Sequence, residues 1–310
     1  MTAAPLPRIA ALCGPTASGK TAIALRLARE IGGEIVNADS IQLYSDLTHL
    51  SARPTPDEMA QAHHHLFGVA DGAQAWSVGR WLRAALPLIA DIRARGRSPI
   101  LVGGTGLYFR SLTEGLAEIP VAPPEIRVEA EAAFESLGEA AFRARLGEVD
   151  PAAAARIAPG DRQRLVRAWE VFRFAGQPLS DLQAATTAPL APDAWRGVVI
   201  DPPRPALYAR CDARLAVMFE GGAAEEVMAL VARGLDPALP VMRALGLREI
   251  AAWQAGTISQ HDALAAAQQE TRRYAKRQAT WFRNQTPDWP RITATDAEAQ
   301  WRQFLALSAP

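Results

Sequence analysis

Lysine is nearly missing from this chain of 310 residues. Of its 33 basic residues only Lys20 and Lys276 are lysine; the rest are arginine. Genomic base composition accounts for the bias, and the many alanines agree with it. Against that background a lysine inside a glycine-rich loop is informative. Cysteine is also scarce. Cys13 and Cys211 can build neither a disulfide framework nor a metal quartet, which suits a reducing, cytoplasmic setting. Net charge is absent, since 33 basic residues balance 33 acidic ones. No global field therefore draws in an acidic partner. No apolar run reaches about 18 residues, and the opening stretch lacks a basic segment followed by a long apolar one, so neither a membrane span nor a signal peptide is expected. Half of the chain is hydrophobic, enough for one large domain or a core domain with an insertion.

The apolar runs that do exist are short and alternate with helical patterns. Ile9 to Cys13 reads as a buried strand that runs into a glycine-rich loop and then a helix from about Thr21 to Ile31. Glu34 to Ala38, Ser98 to Val102 and Gly197 to Ile200 read as further strands. Val78 to Arg95 and most of Pro205 to Arg233 read as helices, as does the stretch from Val241 to Gln285. This alternation predicts an α/β fold, a parallel sheet of the P-loop NTPase type with flanking helices. Between Val121 and Pro189 no strand pattern occurs. That segment reads as a helical insertion standing off a core formed by residues 1–120 and 190–310. In such sheets sites form at the carboxyl ends of strands, which would put the glycine-rich loop, Asp39 and Thr105 on one edge.

Gly14-Pro15-Thr16-Ala17-Ser18-Gly19-Lys20-Thr21 fits the spacing GxxxxGK[ST] in full. Glycines let the loop curl so that successive N–H groups point at phosphate oxygens. Lys20 supplies charge, the Thr21 hydroxyl can hold Mg²⁺, and the helix dipole assists. The motif predicts a nucleotide- or diphosphate-binding site and leaves the fate of the phosphates open. Asp39 ends the second strand, where a carboxylate across from the cradle can hold Mg²⁺ through water or take a proton from a nucleophile. The nearest match to an apolar strand ending in a metal-binding Asp is Val198 to Asp201, only four residues long and stopped by Pro202-Pro203; this weighs against a motor ATPase. His63-His64-His65 has no partner at metal-ligand spacing and reads as structure or surface loop. Two stretches are rich in arginine. Asp161 to Phe172 puts Arg164 and Arg167 on one helical face. Thr271 to Arg283 has five basic residues and no acid, with Tyr274, Trp281 and Phe282 interleaved. Together they read as a phosphate-backbone track with stacking platforms. From these residues alone the loop can hold a nucleotide to be hydrolysed, a phosphoryl donor or a diphosphate leaving group. Of the rival functions, a P-loop small-molecule kinase and an adenylate prenyltransferase need no basic tracks, and an ATP-gated RNA-binding module gives Asp39 no role.

The ordered set of motifs resembles the tRNA dimethylallyltransferase (tRNA isopentenyltransferase) family from about Ile9 to Arg283. The resemblance rests on GPTASGKT, on Asp39-Ser40 with Tyr44, on LVGGTGLYFRSLTEGL (Leu101 to Leu116) and on DRQRLVRAWEV. It continues through Leu207 to Val227, RALGLREI (Arg243 to Ile250) and AKRQATWFR. It implies transfer of a dimethylallyl group from dimethylallyl diphosphate to the exocyclic amine, N6, of the adenosine 3′ of the anticodon, with diphosphate as leaving group. On that reading Asp39 is the base. Lys20, Arg214, Mg²⁺ on Thr21 and the loop N–H groups receive the leaving group, and the adenine is flipped from its stack. Thr105 and Arg127 match family positions that contact tRNA. So do the segments Ser40-Ile41-Gln42, Gln163-Arg164-Leu165-Val166-Arg167, Arg243 to Arg248, and Lys276-Arg277-Gln278 through Trp281 to Arg283. The helical insertion would clasp the anticodon stem-loop, and the enzyme would work as a monomer away from membranes. In one loop the chain departs from the family pattern Ile-Gly-Thr-Ala-Lys-Pro. It carries Leu50-Ser51-Ala52-Arg53-Pro54, with Arg in place of Lys.

Overall fold

A computed structural model describes residues 8–308. Six strands form one sheet: β1 (Ile9–Cys13), β2 (Glu34–Asn37), β3 (His64–His65), β4 (Pro99–Gly103), β5 (Trp195–Ile200) and β6 (Arg291–Ile292), in the order β3-β2-β4-β1-β5-β6. Every pairing is parallel. The central strands β1 and β4 are apolar throughout, and β2 sets buried Glu34 and Asn37 on either side of Ile35-Val36; helices cover both faces, as parallel sheets require. The fold class is α/β. β5 starts ahead of the expected Gly197, at Trp195. The two-residue strands β3 and β6 carry no periodic signal and exist only through their pairing with β2 and β5.

The sheet is followed through the chain by α1 (Lys20–Ile31), α2 (Pro56–Met59), α3 (Val78–Ala94) and α4 (Gly106–Thr113). After the helical segment come α9 (Arg204–Glu220), α10 (Ala223–Ala232), α11 (Leu247–Gln254), α12 (Gln260–Gln285) and α13 (Ala297–Ser308). The stretch expected to be mostly helical from Pro205 to Arg233 is two helices parted at Gly221-Gly222, where Gly222 takes a left-handed φ of 93° as N-cap of α10. One core lies on the face bearing Trp81, Tyr108, Phe109 and Phe282, and a second lies under α1 and α13 around Leu12, Ile100 and Trp301. No helix among the described residues is long and apolar enough to cross a membrane.

The chain divides into two compact units, residues 1–113 with 190–310, and Glu114–Pro189. The second is wholly helical: α5 (Pro124–Val149), α6 (Pro151–Arg156), α7 (Arg162–Ala175) and α8 (Leu179–Ala184). Its own core gathers Phe142, Leu146, Leu165, Val166 and Trp169. α5 is interrupted at Gly138, whose φ of 71° and ψ of 164° are not helical. Asp150, fully buried, ties the unit together. Its carboxylate accepts the N–H of Ala153 at 2.9 Å and both the amide and hydroxyl of Ser180.

His64 and His65 form the edge strand. His65 Nε2 lies 2.8 Å from a carboxylate oxygen of Glu34, which also receives two N–H groups of Arg95. These hydrogen bonds hold Glu34 down at a pKa of about 2 despite its burial.

Candidate active site

The glycine-rich loop joins β1 to α1, and β4 lies between β1 and β2, so the β4 end separates the loop from Asp39. Gly104 permits that closeness. A Cβ on it would strike the side-chain amide of Gln278 and come 3.4 Å from Asp39 Oδ2. Within the loop Ala17 holds a left-handed φ of 60°, a strained geometry for a side-chain-bearing residue. The loop is braced from several directions. Gln300 of α13 donates to Ser18 O at 2.9 Å, Arg210 of α9 donates to the same carbonyl at 3.2 Å, and Gln278 of α12 accepts Thr16 N–H at 2.8 Å. None of these partners has a local sequence signal.

Two cations face the cradle. Lys20 donates to Pro15 O at 2.6 Å. It keeps some surface in solvent, yet burial by surrounding protein pushes its pKa down to about 8, with Asp39 opposing the shift and Arg214 adding to it. Arg214 donates one N–H to the Thr16 hydroxyl, and burial lowers its pKa as well, against the pull of Cys211 and Asp39. Its Nε is buried without a hydrogen-bond partner among the described residues, as is Ser18 Oγ. Buried donors left unpaired cost stability; a multivalent oxyanion would satisfy them. Thr21 stands exposed in the first turn of α1, where helix N–H groups have no partner within the helix. Its hydroxyl suits Mg²⁺ as an ion carried mainly by substrate oxygens and water, the usual mode for this hard, octahedral cation. Asp201, at the end of β5, instead faces Arg291 at 3.6 Å and Arg283 at 3.8 Å.

Asp39 is fixed through its backbone. The buried Asn37 accepts Asp39 N–H at 2.8 Å, donates to Asp39 O at 3.0 Å and ties both to Leu66 O at 2.9 Å. Trp81 in turn donates to Asn37 O at 2.9 Å and stacks on Tyr108. Asp39 Oδ1 accepts Ile41 N–H at 3.0 Å. Thr105 binds the same loop, its N–H reaching Ala38 O and its hydroxyl accepting Ser40 N–H at 2.9 Å. Burial pushes the nearby Tyr108 and Tyr274 upward, Asp39 reinforcing the shift, so both stay protonated.

Several residues expected to meet tRNA are buried or bonded within the protein. Leu165 and Val166 are 0 % and 6 % exposed in the core of the helical unit, because α7 turns its apolar stripe inward. Gln278 is 5 % exposed, with both ends of its amide in use inside the protein. Gln42 donates to Ser51 O at 3.0 Å and Ala52 O at 2.7 Å. It thereby closes the loop that departs from the family pattern. That loop is also held by Glu226, whose carboxylate accepts the N–H groups of Thr48, His49 and Leu50, and Arg53 caps Tyr44 O at 3.0 Å. Arg167 is ion-paired with the buried Glu170, and Arg164 lies 3.4 Å from Asp161.

Arg164 nevertheless faces solvent, as do Arg127 and Gln163 in the helical unit, and Arg243, Arg248, Lys276, Arg277 and Arg283 in the α/β unit. Ser40 and Ile41 are half-buried. On α12 a cavity of about 490 Å³ is lined by Arg273, Lys276, Arg277, Thr280, Trp281 and Asn284. It combines cations with the half-exposed indole of Trp281, the pairing that single-stranded nucleic acid favours.

A family described as IPP transferase matches residues 42–285, and one described as isopentenyl transferase matches residues 7–67. The chain is 66 % identical over 300 residues to the tRNA dimethylallyltransferase of Phenylobacterium zucineum, covering 97 % of each. It is 57 % identical over 288 residues to that of a Caulobacter species, covering 93 % of each. Among solved structures it resembles the tRNA isopentenylpyrophosphate transferase of Bacillus halodurans, with a TM-score of 0.66, 32 % identity, and 97 % and 96 % of the two chains covered. It also resembles a eukaryotic dimethylallyltransferase acting on tRNA, with a TM-score of 0.80, 25 % identity, and 94 % of this chain and 75 % of that one covered.

Proposed function

Since this chain belongs to the tRNA dimethylallyltransferase family, we propose that its phosphate cradle holds dimethylallyl diphosphate and that Asp39 serves the acceptor. The enzyme is a prenyltransferase that modifies tRNA. The acceptor is the exocyclic amine of the adenosine beside the anticodon, presented by the anticodon stem-loop to a single copy of the chain in the cytoplasm. The observation that carries this reading is the orphaned, buried Nε of Arg214 beside the loop that holds Lys20.

The bond from the prenyl carbon to diphosphate oxygen breaks as the bond from amine nitrogen to that carbon forms. The amine proton passes to the Asp39 carboxylate, and the electron pair leaves with diphosphate. Lys20, Arg214 and the first-turn N–H groups of α1 stabilise the charge that gathers on the leaving oxygens. Mg²⁺, held by Thr21 and by diphosphate oxygens, would neutralise part of that charge. Asn37 and Thr105 keep Asp39 at the strand end, and Thr105 meets the tRNA beside it. Exposed Arg127, Gln163, Arg164, Arg243, Arg248, Lys276, Arg277 and Arg283 meet the RNA backbone, and Trp281 offers a stacking face.

Incubation of the purified protein with unmodified tRNA and labelled dimethylallyl diphosphate is expected to put label into tRNA. Transfer of labelled phosphate from ATP to a small acceptor, with none of the prenyl label in tRNA, would overturn the reading. Asp39→Ala should lower the single-turnover rate by about 10²–10⁴, the usual worth of a positioned base, with tRNA and diphosphate binding little changed. An undiminished rate would remove Asp39 from the reaction.

A further inference from the structure

α12 carries two kinds of polar side chain. Lys276, Arg277 and Arg283 are exposed, whereas Gln278 is buried, only 5 % exposed. Burying an amide is unfavourable unless its donor and acceptor are both paired, and here both are. Oε1 accepts Thr16 N–H at 2.8 Å, and Nε2 donates to Gly104 O at 2.8 Å. Gln278 thus spans from the phosphate loop to the β4 end beside Asp39. Thr16 links it further, because the Thr16 hydroxyl receives Arg214, the cation with an unpaired buried Nε.

We propose that Gln278 is a positioning residue for the leaving diphosphate rather than a tRNA contact. It fixes the Thr16 peptide and, through the Thr16 hydroxyl, the approach of Arg214. Its other end sets the Gly104 turn against Asp39. This role rests on the donor reading of the cradle.

The test is a double-mutant cycle on diphosphate binding, measured by calorimetry with inorganic diphosphate and Mg²⁺. Gln278→Met keeps the length and unbranched shape but loses both hydrogen bonds. Thr16→Val loses the hydroxyl that receives Arg214. Gln278→Met is expected to weaken diphosphate binding about tenfold, the worth of one or two hydrogen bonds. Its affinity for an anticodon stem-loop and the salt dependence of that affinity should not change. Thr16→Val should weaken diphosphate binding similarly, and the double variant should lose little more than either single one, since both act through one chain of contacts. Additive losses would overturn the proposal, because they would mean that Gln278 and Thr16 act separately. Unchanged diphosphate affinity together with weakened stem-loop binding would return Gln278 to the tRNA interface. If Gln278→Met does not fold, as judged by thermal unfolding, Gln278→Leu carries the same cycle. A wild-type protein that fails to bind diphosphate would overturn the donor reading as well as this role. A wild-type protein that binds it as tightly as the variants do would overturn this role alone.

Discussion

The ammonium of Lys20 lies where burial draws its pKa from 10.5 to about 8, with Arg214 adding to the effect and Asp39 opposing it. An oxyanion in the cradle would restore the counter-charge and raise that pKa again. Above pH 8 the empty site therefore holds largely neutral lysine and the loaded site a charged one, so binding takes up a proton. Diphosphate affinity should fall as pH rises past about 8. Calorimetry at about pH 9 in buffers of different ionisation enthalpy should show uptake of up to about one proton. Heats that do not depend on the buffer would mean that Lys20 stays protonated in the empty enzyme. The sign for stability follows from the same shift. Between about 8 and 10.5 the unfolded chain binds a proton that the folded one has shed, so this group favours the fold increasingly as pH rises through that window. Lys20 and Thr21 were legible in the sequence because the motif is contiguous. Gln278 and Gln300 were not legible as braces, because their bonds to the loop span 262 and 282 residues. Asn37 stands two residues from Asp39, yet asparagine at a strand end is too common a turn residue to announce a role.

At the level of elements, the turn from β4 into α4 shows how a helix can be fixed by what a glycine lacks. A Cβ at Gly106 would drive into the six-membered ring of Trp281, so the indole of α12 lies directly on the backbone at the start of α4. Gly106→Ala should therefore destabilise the protein by about 1–3 kcal/mol through overpacking. Adding Trp281→Ala should recover part of that loss, because the two changes meet at one contact. Denaturant unfolding of the two single variants and the double variant decides it. Strictly additive losses would show that the indole does not rest on Gly106 in solution. β1 and β4 were legible because strands buried on both faces tend to be continuously apolar, whereas β2 showed only the short apolar pair Ile35-Val36 between Glu34 and Asn37. β3 and β6 were hidden, since two residues cannot display a period and His64-His65 is polar. The break between α9 and α10 was present in the sequence as Gly221-Gly222, but the helical pattern on either side of that pair masked it.

Over the whole molecule, zero net charge conceals two kinds of arginine. In the helical unit Arg127, Arg143, Arg162, Arg167 and Arg173 each lie against a glutamate, at Glu131, Glu139, Glu135, Glu170 and Glu129. Arg164 is different: its side chain is 75 % exposed and its acid partner, Asp161, is 3.4 Å away and also caps α7. On α12, Lys276 and Arg277 are exposed, and Arg277 lies over Tyr274. Exposed pairs are worth little, so either group can yield to a phosphate, but Arg167 leaves behind a buried Glu170 if it does. The expectation of two equivalent basic tracks therefore becomes an ordered one. Lys276→Gln with Arg277→Gln should flatten the log–log salt dependence of tRNA affinity by about 0.7 per lost phosphate contact in single-stranded regions. Arg164→Gln should flatten it by up to about one contact's worth. Arg167→Gln should instead lower stability, leaving the slope nearly as it was. Each change in slope should be similar for any tRNA, since phosphates carry no sequence information. Binding constants at several salt concentrations, with thermal unfolding alongside, separate these outcomes. If the Arg164→Gln slope superimposes on the wild type, the helical unit does not touch the RNA backbone through α7, and its part in tRNA binding would have to lie with Arg127 or Gln163.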